Sequence, residues 1–117
     1  MNLKIKTTSK SYFRLALEVL SAFTPFNSLR NREKDLLSQL LYYNQLYINV
    51  PTEQRGQVIF NSLTREKIMK NIDMKRSSLD STMASLRKKG FITYNSINPK
   101  LIFKLGEDIN IKFYEKK

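Results

Sequence analysis

Between Lys75 and Gly90 the chain reads KRSSLDSTMASLRKKG, which crowds cations and small hydroxyl side chains into one short stretch. These groups do not form a catalytic set. The chain has no histidine and no cysteine, which removes the commonest general base, the thiolate nucleophile and the usual metal ligands. Its ten carboxylates form no acid/base pair or metal cluster by spacing, and no glycine-rich phosphate loop is present. We therefore expect no enzyme and no cofactor. Cations beside short hydroxyls are suited to close approach to something polar and negative. The alternative is a solvated helix face, although such a face usually carries Glu and Lys, which favour helix more than Ser and Thr do.

The charge balance points the same way. The 117 residues carry a formal charge of +11, which attracts polyanions such as nucleic acid, acidic protein surfaces or anionic lipid. From Arg65 to Lys104 ten Lys or Arg face three acids, Glu66, Asp73 and Asp80. That concentration favours a local footprint over general solubility. No apolar run approaches the roughly 18 residues that span a bilayer. The basic N-terminus reads poorly as a signal peptide, because Arg14 and Glu18 interrupt the apolar stretch after it. No membrane partner and a cytoplasmic location are expected, and a composition rich in Lys, Asn and Ile suggests an AT-rich genome and so a bacterial or phage-infected cell.

Length favours one domain. Residues 1–8 read as a basic arm. Residues 9–23 read as a helix whose apolar positions cover more than one stripe, so it is either buried or shared with a second copy in a homodimer. Proline at 25 breaks it. NREKDLLSQLLYYNQLY opens on Asn31, a good N-cap, and repeats Leu36, Leu37, Leu40, Leu41, Tyr43 and Tyr47 at helical spacing. Residues 48–57, with Pro51 and Gly56, read as an irregular linker, and QVIFNS, 57–62, as a strand. A third helix begins at Thr64 and runs to about Asn71. A fourth covers 76–89, with Leu79, Met83 and Leu86 inward and Gly90 just past its end. FITYN and KLIFKL then read as a hairpin around Asn98-Pro99, and residues 109–114 alternate like a further strand.

This order, with LTREKIMKNIDMKRSSLDSTMASLRKKGFI and its closing L-x-x-K-G-x-I at Leu86, Lys89, Gly90 and Ile92, resembles the winged helix-turn-helix superfamily of bacterial and phage transcription regulators. The resemblance covers about 31–105 and implies a mainly α fold with a small β-hairpin or sheet, preceded by an extra helix, 9–23, and followed by a C-terminal strand or tail, 106–117. It implies a sequence-specific double-stranded DNA-binding protein, with helix 76–89 in the major groove and wing 91–105 on the backbone. Lys75, Arg76, Ser77, Ser78, Ser81 and Ser85 become candidates for base or phosphate contact, Arg76 having the only nearby guanidinium fork for guanine. Arg87, Lys88, Lys100 and Lys104 become candidate phosphate contacts, although cations at a helix end also favour its dipole. Three features depart from the family: Lys75 stands where a Ser or Thr cap is usual, Asp80 sits on the DNA-facing side, and the linker from Ile48 to Gln57 is longer than a minimal member needs. Asp80 keeps open a protein-interaction module that binds polymerase or a replication complex; replication initiation or partition is a further DNA-binding alternative.

Overall fold

The computed structural model of the chain describes residues 12–98. Among these residues five helices succeed one another: α1 Tyr12–Leu20, α2 Asn31–Leu46, α3 Thr52–Ile59, α4 Ser62–Ile72 and α5 Arg76–Lys88, with a 3-10 turn at Phe26–Ser28. No helix among the described residues is long and apolar enough to cross a membrane.

α2 is the central element. Leu36, Leu37 and Leu40 are fully buried, with Leu41 and Tyr43 nearly so, and α1, α3, α4 and α5 all pack against it. Its N-cap is Arg30, one residue earlier than the sequence suggests, and Glu33 supplies the cap by accepting from the Arg30 backbone N–H at 2.7 Å. α1 buries Tyr12, Phe13, Ala16 and Leu17 in the same core. Arg14 crosses to Asp35 at 2.7 Å, and Lys34 reaches Glu18 at 2.9 Å, which fixes α1 on α2 from the outside. A homodimer contact through α1 would therefore have Leu15, 49% exposed, and the half-buried Val19 and Leu20 to use, since Phe13 and Leu17 lie inside the chain's own core.

The expectation of a winged helix with a β-hairpin wing is corrected by this architecture. Among the described residues there is no strand and no sheet. Residues 57–62, expected as a strand, finish α3, pass through Phe60 and the N-cap Asn61, and begin α4. The buried positions there, Gly56, Ile59 and Phe60, fall at i, i+3 and i+4, which is helical spacing. From Thr52 onward the supposed linker is likewise α3, starting directly after Pro51, a residue suited to a helix start. Residues 91–95 contribute only one antiparallel bridge, Ile92 to Ile97. The other half of the expected wing, 99–105, the strand or tail 106–117, the arm 1–8 and the first residues of the expected helix 9–23 lie outside the described residues.

Candidate nucleic-acid interface

α4 ends because Asp73 adopts a left-handed conformation, φ 51°, which Asp tolerates better than most residues. The Asp73 and Met74 N–H groups both donate to the Met69 carbonyl, and Met74 is buried as the anchor of the turn. Arg32 of α2 braces this turn from outside: Nη2 donates to the Ile72 and Asp73 carbonyls at 3.0 and 3.1 Å, while Nη1 pairs with Asp35. Three residues, 73–75, therefore separate α4 from α5. Lys75 is the N-cap of α5 and provides no side-chain cap.

α5 puts Leu79, Met83 and Leu86 into the core against α2. Its outer side carries Arg76, Ser77, Ser78, Asp80, Ser81 and Lys88, all exposed, with Lys75 exposed just before it. Ser81 donates to the Ser78 carbonyl at 3.1 Å and keeps its lone pairs free to accept. Among the described residues Lys75, Arg76 and Lys88 have no ion pair or side-chain hydrogen bond.

Three other residues of the stretch are turned elsewhere. Ser85 is half-buried and donates to the Glu33 carboxylate, which places it in the contact between α2 and α5. Lys89 reaches inward to the Ser28 carbonyl at 2.6 Å and to Glu33 at 2.7 Å. The Arg87 guanidinium lies 4.3 Å over the ring of Tyr94. Lys100 and Lys104 lie outside the described residues.

Burial alone pushes the Glu33 carboxyl up. Hydrogen bonds from Lys89, Ser85 and the Arg30 backbone outweigh it, so its pKa is held below the ordinary carboxylate value and the group stays charged. Two exposed residues that sequence reasoning did not single out are Arg30, at this node, and Tyr94, beside Arg87. Arg30, exposed, lines a cleft of about 390 Å³ between the first turn of α2 and Ser81 and Thr82 of α5. Tyr94 is 78% exposed at the end of α5. The packing of α2 beside α5 brings Arg30 to this cleft, whereas Tyr94 is placed by the turn that follows α5.

Charge separates along the fold. Residues 12–61 carry five Lys or Arg against four acids, and residues 62–98 carry eight against three. Most cations of the first group are engaged: Arg14 and Lys34 with Glu18, Arg32 with Asp35, and Arg55 with the Ile48 and Val50 carbonyls. In the second group Lys67, Lys70, Lys75, Arg76 and Lys88 project into solvent. Among the described residues no group of three or more His, Cys, Asp or Glu is placed to hold a metal ion. No protein-family model, curated protein or solved structure matches the chain.

Proposed function

We propose that the chain binds double-stranded DNA in a sequence-specific manner and acts as a transcription regulator, with α5 presented to the major groove. The observation that carries this reading is α5, which follows α4 after a three-residue turn, the order of a helix-turn-helix, and turns unpaired cations and short hydroxyls outward while its apolar face is fixed on α2. In such an arrangement the N-terminal residues of the second helix meet base edges. Arg76 supplies the bidentate donor for guanine O6 and N7, and Ser77, Ser78 and Ser81 approach closely enough to bond bases or phosphates. Lys67, Lys70, Lys75 and Lys88 supply charge for phosphates on either side. Ser85 and Lys89 act from behind by holding α5 at its angle to α2.

Asp80 favours a second reading. Its carboxylate is exposed midway along the outer face, where a phosphate repels it, so the same face would suit a protein partner such as a polymerase or replication component. Selection of bound duplexes from a random pool, followed by salt titration, separates the two. An enriched sequence with a steep loss of affinity at higher salt supports DNA regulation. Absence of binding at low salt supports the protein-interaction module.

A further inference from the structure

Tyr94 is the most exposed of the large hydrophobic residues described, yet its position is fixed. It sits at the tip of a tight turn closed by the Ile92–Ile97 bridge, by Thr93 N–H to the Ser96 carbonyl at 2.8 Å and by Asn98 N–H to the Phe91 carbonyl at 3.0 Å. Phe91, Ile92 and Ile97 anchor that turn in the core. The next residue's carbonyl, that of Asn95, presses on Gly56 of α3 so closely that a Cβ there would lie 1.7 Å from it. One ring face is covered by the Arg87 guanidinium; at 78% exposure the other is open.

We propose that the open face of Tyr94, backed by Arg87, is a stacking site for an unpaired nucleobase of the bound DNA. A rigidly held aromatic ring beside cations is the combination that takes single nucleotides, because every base offers a π-face and its phosphate needs a counter-charge. The apolar area is confined to one ring: Thr93, Asn95 and Ser96 around it are polar and exposed, and Lys88 stands free at the adjacent helix end. A protein or lipid partner would need a broader apolar patch than this. Paired bases inside a duplex offer no free face, so the occupant is a base in a tail, a gap or a melted step next to the duplex held by α5. The inference rests on the DNA-binding reading and extends it to a second kind of contact.

The test uses the full chain and the selected duplex, either blunt or carrying a short single-stranded tail with 2-aminopurine, beside the free single strand. The tail is expected to raise affinity about tenfold, with a change in 2-aminopurine fluorescence on binding. Tyr94→Phe keeps both effects and Tyr94→Leu loses both, while affinity for the blunt duplex stays the same in all three proteins. Equal affinity for tailed and blunt duplexes, or a gain that survives Tyr94→Leu, overturns the stacking site. Failure to bind the blunt duplex overturns the α5 reading instead, and the single strand then decides the stacking site by itself: a fluorescence change that Tyr94→Leu removes sustains it, and no change overturns it.

Discussion

Glu33, in the first turn of α2, and Lys89, which closes α5, meet at 2.7 Å with the carboxylate almost fully buried and the lysine partly so. The same carboxylate accepts from Ser85 and from the Arg30 N–H. One acidic side chain thus caps the central helix and ties down the C-terminal half of the helix proposed to read DNA. Arg32 does the corresponding work at the other end of α5 by holding the turn before it.

This node makes stability depend on pH in a definite direction. Glu33 has its pKa depressed by folding, and hydrogen bonds from Arg14 and Lys34 lower that of Glu18 to about 2. A depressed carboxylate contributes stability that is fully present above its unfolded value, about 4.3, and is lost as pH falls through the folded value. Melting temperature is expected to change little between about pH 7 and 5 and to fall below about pH 4. Glu33→Gln is expected to cost about 1–3 kcal/mol at neutral pH and to make the acid limb shallower. Denaturant titrations of both proteins across pH check this, and an identical acid limb would refute the role given to Glu33.

Gly56 gives a prediction opposite in sign to helix propensity. Within a helix, Gly→Ala normally gains about 1 kcal/mol. Here the added Cβ would meet the Asn95 backbone carbonyl at 1.7 Å, so α3 and the 92–97 turn must separate. Gly56→Ala is expected to destabilise by about 1–3 kcal/mol. A more stable variant in urea unfolding would show that the two segments do not touch.

Much of the helical order was legible in the sequence. The apolar repeats of α2 and α5 have one strong period and decide their own faces, and Leu40 and Leu79 point inward as that period requires. The α3 region was not legible, because Pro51 and Gly56 read as breakers. Proline is welcome at the entry to a helix, and glycine is needed where Asn95 passes. Residues 57–62 misled because a short apolar run suits strand and buried helix equally. In the candidate site, the exposed positions of α5 followed from periodicity. The inward roles of Ser85 and Lys89 did not, since their partners Glu33 and Ser28 lie more than fifty residues earlier.

Adjacent lysines at the end of α5 should behave differently. Lys88 is exposed and unpaired, whereas Lys89 is bonded to Glu33 and Ser28. Lys88→Ala is expected to weaken binding to selected and unrelated duplexes alike and to lower the salt slope by about one, with stability unchanged. Lys89→Ala is expected to lower stability by about 1–3 kcal/mol, because it leaves the buried Glu33 without its charged donor. Thermal melts and salt titrations on both variants separate the two roles.

The most direct measurement is the affinity of the parent and of Arg76→Ala for the selected duplex and for single-base variants of it. Arg76 is exposed in the first turn of α5 and has no partner among the described residues, so its removal leaves the fold alone. The predicted result is a loss of about 1–3 kcal/mol on the selected duplex, with discrimination relaxed at one or two base pairs and intact elsewhere. An equal loss on every duplex, or none, would contradict base reading by α5.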